Sequence, residues 1–300
     1  MINITLVGTG GMLPLPERWL ASMWLEYNGK ACLIDCGEGT QIAINQHNLK
    51  LSHLDTLLIT HTHADHISGL PGLLLSLGNC GKNNILKIYG HEGITNTIRH
   101  LLCICPVLPF GIEIHELPLN VKSHFNWNEI VISSMPLDHS IDCLGYSFIL
   151  NRKPVFNPEK ARALGIDVKY WKQLHAGDSI TIDGKTIMSD MVTDEKRAAI
   201  KVTYITDTRY FSELADFAAD SDLLICEGMY GDDEYTEKMK EKGHMVFSQS
   251  AEIAKKSNSK ALWLTHYSPA LTTPEDYTEF VHSQFENTTI SRDGESIILK

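Results

Sequence analysis

His61, His63, Asp65 and His66 place three imidazoles and a carboxylate within six residues, directly after the apolar run Leu57-Leu58-Ile59. On a strand running out into a loop, side chains alternate, so His61 and His63 project to one side and can reach one metal ion. Asp65 and His66 follow where the chain turns, displaced from the first pair. That suits a second ion close by better than four ligands on one. Imidazole and carboxylate are ligands for Zn²⁺, with Mn²⁺ or Fe as alternatives, and catalytic zinc sites keep a position open for water. The competing reading is of surface histidines beside a helix-capping aspartate. Three further candidates stand at strand ends: His139 in SMPLDHS, Asp207 in TYITDTR and His266 in LWLTHYS. Each follows an apolar strand, as His61 does, so all can converge on one edge of the sheets.

The elements that must position these groups are mostly strands. INITLV (2–7) alternates, and Ser22 to Asp35 reads as two strands joined by an Asn28-Gly29 hairpin turn. TLLIT supplies a buried strand leading into His61. Further strands are expected at 86–89, 112–117, 129–134, 145–150, 202–206, 223–226, 261–265 and 297–299, with a few helices between them at 70–77, 158–164 and 247–256. No repeat, low-complexity run or long linker divides the chain. One α/β domain over residues 1–300 is expected, with two sheets packed together and helices outside.

Composition narrows the function classes. A hydrophobic content of 43% over 300 residues is ample for a buried core. The N-terminus lacks a basic, then apolar, leader pattern, and no segment approaches a membrane span, so a cytoplasmic location without membrane attachment is expected. The seven cysteines (32, 36, 80, 103, 105, 143, 226) include no CxxC pair and read as buried thiols in a reducing compartment. A net charge of −11 disfavours non-specific nucleic-acid binding by the chain as a whole. The turn Gly8-Thr9-Gly10-Gly11 lacks the third glycine of a dinucleotide loop and is followed by prolines, so it reads as a tight turn beside the metal residues. Asp183 to Lys185 reads as a hairpin turn.

This constellation resembles the metallo-β-lactamase superfamily, whose αββα sandwich carries a two-metal centre along the sheet edge. The resemblance implies that His61, His63 and His139 hold a first metal and Asp65, His66 and His266 a second, with Asp207 bridging. LVGTGGMLPLPER, LIDCGEGTQ, THTHADHISGLPGLL and GHMVFSQSAEIA stand in the order and approximate spacing of the ribonuclease Z branch, the tRNA 3′-processing endonucleases. DCGEGTQ is the most branch-specific of these, and the likeness runs from Leu6 to about Pro269.

What the branch implies is a phosphodiester hydrolase. Two zinc ions would lower the pKa of a water between them and hold the attacking and leaving oxygens of an in-line displacement, with metal-bound hydroxide as nucleophile. Asp65 would orient that water or accept its proton. His244 matches the family's catalytic histidine outside the metal shell and would neutralise or protonate the leaving oxygen. The family also implies precursor tRNA as the RNA partner, a homodimer, and an inserted arm that grips the tRNA elbow, here about 151–177. That segment carries Arg152, Lys153, Lys160, Arg162, Lys169 and Lys172 against Glu159 and Asp167, with Tyr170 and Trp171 among them. A solvated helical hairpin packing on its own aromatics is the alternative.

Several positions depart from the branch pattern. The arm lacks a Gly-Pro turn, HYSPAL lacks the usual Arg-Tyr, and Leu75 to Leu77 stand where an arginine is usual. GHMVFS replaces His-Ser-Thr, Thr206 replaces glycine, and CEGMY stands for His-Glu-Ala-Thr. The ligands are kept while substrate contacts have drifted. A phosphodiesterase for a cyclic nucleotide or short oligonucleotide is therefore the first alternative. A thioester, lactone or β-lactam hydrolase of the same fold is the second, and a non-enzymatic metal- or RNA-binding module the third.

Overall fold

The computed structural model describes residues 1–182, 184–195 and 197–300. The chain divides into two compact units, one formed by Met1–Phe148 with Lys201–Lys300 and the other by Ile149–Ile200.

In the first unit, one seven-stranded sheet comprises β1 (Ile2–Gly8), β2 (Ser22–Tyr27), β3 (Lys30–Ile34), β4 (Leu54–Leu58), β5 (Leu86–His91), β6 (Ile112–Leu117) and the C-terminal strand β16 (Ser296–Leu299). Its order is β16-β1-β2-β3-β4-β5-β6. The pairings from β16 to β3 are antiparallel and those from β3 to β6 are parallel. The second sheet comprises β7 (Ser123–Trp127), β8 (Ile130–Leu137), β9 (Cys143–Leu150), β12 (Ile200–Ile205), β13 (Leu223–Glu227), β14 (Leu262–Thr265) and β15 (Thr288–Ile290), in the order β15-β14-β13-β12-β9-β8-β7. From β12 to β15 its strands are parallel. The hairpin turn between β2 and β3 falls at Asn28 and Gly29, with φ of 50° and 73°, the left-handed pair that a tight two-residue loop requires.

Alternation along the strands explains the layers. Trp24, Ala31, Leu33 and Leu57 share a core with the helices Thr40–Gln46, Leu70–Asn79 and Ile94–Leu102. Their neighbours Met23, Leu25, Cys32, Ile34 and Leu58 are equally buried but point the opposite way. In the second sheet Leu224, Cys226, Leu262 and Leu264 pack on the helices Glu213–Ala218, Phe247–Lys256 and Thr278–Gln284, while Leu223, Ile225 and Tyr204 face away. Both faces of each sheet are therefore covered, which is why the strands read as nearly continuous apolar runs. Tyr146 of β9 donates its hydroxyl to the Ile59 carbonyl just beyond β4, a bond of 2.7 Å from one sheet to the other. The result is an α/β sandwich with helices outside.

Helices are more numerous than the few expected from periodicity. Several span only six or seven residues, fewer than two turns, too short to show a repeat of 3.6. The cysteines also need correction: Cys32, Cys36, Cys143 and Cys226 are buried, but Cys80 and Cys103 are exposed and Cys105 is half-buried. Among the described residues no helix is long and apolar enough to cross a membrane.

The second unit is longer than the 151–177 arm read from its charges. It adds a hairpin of β10 (Ile180–Ile182) and β11 (Lys185–Ile187), as the turn signal there suggested, although Asp183 itself lies outside the described residues. Ala161, Ile166, Leu174, Ile180 and Val192 form a small core of its own, flanked by Phe156, Tyr170 and Trp171. Asn157 caps the helix Pro158–Ala163, its side-chain oxygen accepting from the Glu159 and Lys160 amides at 2.9 and 3.1 Å.

Candidate metal centre

Every expected ligand follows the C-terminal end of a strand. His61 and His63 come after β4, His139 after β8, Asp207 after β12 and His266 after β14, while Asp65 and His66 sit in the short helix Ala64–Ile67. Ligand sites collect at this end of parallel strands because the chain there is free to leave the sheet in different directions. The seven residues form two groups. His61, His63, His139 and Asp207 bring one donor atom each within 4.8 Å of one another, and so do Asp65, His66 and His266. Asp207 also reaches the second group, with Oδ1 at 3.4 Å from His66 Nε2 and 3.3 Å from His266 Nε2.

The donor set fits metal ions. In the first group His63 Nδ1 lies 3.1 Å from His61 Nε2 and 3.2 Å from His139 Nε2, and Asp207 Oδ2 lies 3.5 and 3.7 Å from the latter two nitrogens. In the second, His66 Nε2 and His266 Nε2 are 3.2 Å apart, with Asp65 Oδ2 at 3.6 and 3.5 Å. Tetrahedral zinc with ligands at about 2.0–2.1 Å needs donors about 3.3–3.4 Å apart. The tautomers agree. His66 Nδ1 donates to Asp35 Oδ2 at 2.8 Å and His139 Nδ1 to the Gly243 carbonyl at 2.9 Å. Thr60 gives its one hydroxyl proton to Asp35, so it accepts from His61 Nδ1 at 3.0 Å. In the neutral rings each Nε2 therefore aims a lone pair inward, an arrangement that a cation makes favourable.

The backbone is bent to build this centre. Met12, Asp35, Asp207 and His266 all have positive φ, at 65°, 59°, 23° and 62°. For residues with a Cβ such conformations cost about 1–3 kcal/mol each and persist only where the surroundings enforce them. Gly11 belongs to the same device: a Cβ there would lie 2.7 Å from His266 Cε1, so the turn read at Gly8 to Gly11 does pass directly beside the centre. The next amide, Met12 N, donates to Asp65 Oδ2 at 2.7 Å.

Electrostatics follow from burial and crowding. Burial alone would raise the Asp207 pKa, yet His266, His66 and His61 pull it well below the usual carboxylate range. Burial likewise opposes ionised Asp65, and the imidazoles of His266 and His66 overcome it. His61 and His139 are held below the ordinary imidazole value, chiefly by burial. His66 differs: burial opposes its charge, but Asp207 and Asp35 raise its pKa well above the ordinary imidazole value, so a metal ion there must displace a proton. Anionic Asp207 and Asp65 and neutral His61 and His139 are already in the forms that ligate metals.

His244 stands against the same space. Its Nδ1 donates to Glu227 Oε2 at 3.0 Å, and its ring centroid is 5.0 Å from His139 and 5.6 Å from His266. Burial opposes its charge, but Glu227 wins and lifts the pKa to about 9. A donor atom of His244 also approaches Asp207 and His266. A cavity of about 520 Å³ opens over the centre, lined by His63, Asp65, His139, Asp207, His244 and His266 with Met12, Met229 and Lys242 on its walls. Glu227 and Asp35 carry no assignment from the sequence, although Glu227 ends the apolar strand β13 and Asp35 follows β3, much as Asp207 follows β12.

The six cations of the arm lie in the second unit, and none belongs to the metal centre. Arg152 Nε donates to the Ala198 carbonyl at 2.6 Å, and Lys160 is tied to the Thr193 carbonyl and to Asp194 at 2.7 and 3.2 Å. Arg162 lies over Trp171 and Lys169 over Tyr170, at 5.4 and 4.9 Å from the ring centroids. Lys153 and Lys172 are exposed, and no ion pair holds them among the described residues.

Comparison with known proteins shows the family. The ribonuclease Z of Lachnospira eligens is 43% identical over 300 residues, covering 100% of this chain and 98% of that protein. That of Clostridium acetobutylicum is 44% identical over 298 residues, covering 98% of this chain and 96% of that one. The chain belongs to the ribonuclease Z family. A model described as the anti-Pycsar protein Apyc1 matches residues 2–190, so the chain belongs to that family too, and a β-lactamase superfamily domain model matches residues 164–267. Human tRNase Z, short form, aligns with a TM-score of 0.71 and 23% identity, covering 99% of both chains. Together with the β-lactamase superfamily match, that likeness shows the metallo-β-lactamase fold.

Proposed function

We propose that this chain is a cytoplasmic endoribonuclease that cuts precursor tRNA at its 3′ end, with two zinc ions held by His61, His63, His139, Asp65, His66 and His266 and bridged by Asp207. The observation that carries the reading is the pair of donor groups sharing Asp207, with His244 on Glu227 beside them. When bound, the two ions supply an activated water and a clamp on both reacting oxygens of an in-line displacement at phosphorus. Asp65, fixed through Oδ2 by the Met12 amide, orients the attacking water and takes up its proton. His244 is left with Nε2 for the substrate, because Nδ1 is occupied by Glu227. As an imidazolium it gives its own Nε2 proton to the leaving ribose oxygen and is left as the neutral ring, and the Glu227 carboxylate stabilises the charged ring before transfer. Lys153, Lys169 and Lys172 provide the phosphate contacts on the 149–200 unit. A homodimer, which the family implies, would let that unit of one copy serve the site of another.

The test is cleavage of a precursor tRNA bearing a 3′ trailer by zinc- or manganese-loaded protein, beside hydrolysis of an aryl phosphodiester and an Asp65→Ala control. Cleavage at the discriminator base, abolished in the control, is the expected result. Diester turnover without tRNA cleavage would replace the tRNA reading with a small-diester one, the alternative that the missing Arg-Tyr after His266 favours.

A further inference from the structure

The Arg209 side chain is 28% exposed and lies two residues beyond the bridging aspartate, yet it touches no ligand. Its guanidinium joins two separate parts of the site. Nε donates to the Lys240 carbonyl at 2.6 Å and Nη2 to the Glu241 carbonyl at 3.3 Å, the open end of the helix Thr236–Lys242. Nη1 donates to Asp138 Oδ1 at 3.0 Å, and the Arg209 amide donates to the Asp138 carbonyl at 2.8 Å. Asp138 immediately precedes His139, and the helix end immediately precedes Gly243 and His244.

The two parts meet again at the centre. The Gly243 carbonyl receives His139 Nδ1, and Gly243 sits at φ 82° so close that a Cβ would lie 2.7 Å from that same nitrogen. Thr208 completes the ring, its hydroxyl taking the Asp138 amide at 3.0 Å and its amide donating to Glu227 Oε1 at 2.6 Å. A planar fork suits three acceptors in fixed directions, and a lysine ammonium does not. We infer that Arg209 is a positioning residue, clamping the end of the helix Thr236–Lys242 onto the Asp138–His139 strand end so that His244 is held at the leaving-group side of the centre. The exchange measurement below is independent of the proposed function, and the kinetic one rests on it.

Hydrogen–deuterium exchange of the intact protein reads the clamp directly. The Gly243 and His244 amides bond to the Lys240 and Met239 carbonyls. In Arg209→Ala they should exchange at least about tenfold faster than in the unaltered protein, while residues 262–265 of β14 stay unchanged. Unaltered exchange over 236–246 would overturn the inference. Metal-saturated protein acting on an aryl phosphodiester reads the consequence: Arg209→Ala should lower kcat about tenfold, but less than about threefold in a His244→Ala background. Equal losses in both backgrounds would overturn it. Arg209→Lys, which keeps the charge without the fork, should fall between. If Arg209→Ala does not fold, Asp138→Ala severs the link from the other side and should shift the same exchange in the same direction by a smaller factor. A chain that turns over no phosphodiester would defeat the proposed function, and the exchange result would still decide the clamp.

Discussion

The metal centre and the 149–200 unit both concentrate charge, and they do it in opposite ways. At the centre His61, His66, Asp207 and His266 are buried at 0–1% exposure and face one another at little more than 3 Å, on backbone bent into costly conformations. In the 149–200 unit Arg152, Lys160, Arg162 and Lys169 are tied to carbonyls, a neighbouring acid or ring faces, and Lys153 and Lys172 lie exposed with no ion pair among the described residues. Buried charge costs free energy unless it is paired, so the first arrangement is explained by what it binds. Exposed charge costs little, and its effect on binding is spread over many residues. Removing one buried member should therefore be drastic, and removing one surface cation slight.

The largest effect expected is from Asp207→Ala. It removes the one group shared by both donor sets and leaves four imidazoles without their common counter-charge, so metal content should fall and phosphodiester turnover should drop on the order of 10³-fold or more. Metal analysis alongside kinetics checks this, and full metal occupancy in the variant would break the contrast. Next is Asp35→Ala, which frees His66 Nδ1 from its acceptor. Loss of such an outer carboxylate costs about 10–100-fold in metal affinity, read by competition with a chelator. The smallest lies in the other unit. Asn157→Ala removes a helix cap and should cost about 1 kcal/mol of stability in denaturant unfolding, with diester turnover unaltered.

The contrast also decided what the sequence revealed. Ligands at strand ends announce themselves, because polar His61, Asp207 and His266 interrupt apolar runs where a core residue would otherwise stand. The parts built from backbone do not. Nothing in the letters shows that the Met12 amide reaches Asp65, that Gly11 leaves room for His266, or that His266 itself adopts a left-handed conformation. Glu227 was legible in principle, since it ends β13 as Asp207 follows β12, but a lone glutamate carries no spacing signal. In the 149–200 unit the basic cluster marked where the segment begins and not where it ends. Its closing hairpin is recognised by Ile180 packing into the unit's own core, a feature that charge patterning does not register. The tethering of Arg152 and Lys160 was equally invisible, since their acceptors Ala198, Thr193 and Asp194 lie more than 30 residues away.

The most direct test sets the two regions against each other in one variant. Lys153, Lys169 and Lys172 are replaced together by alanine, and turnover of precursor tRNA and of an aryl phosphodiester is measured over a range of salt. If the centre performs the chemistry and the 149–200 unit holds the RNA, KM for the tRNA rises and its log–log salt dependence flattens by about 0.7–0.9 for each phosphate no longer neutralised, while diester turnover is unaltered. Equal reductions on both substrates, or no change on the tRNA, would contradict that division of labour.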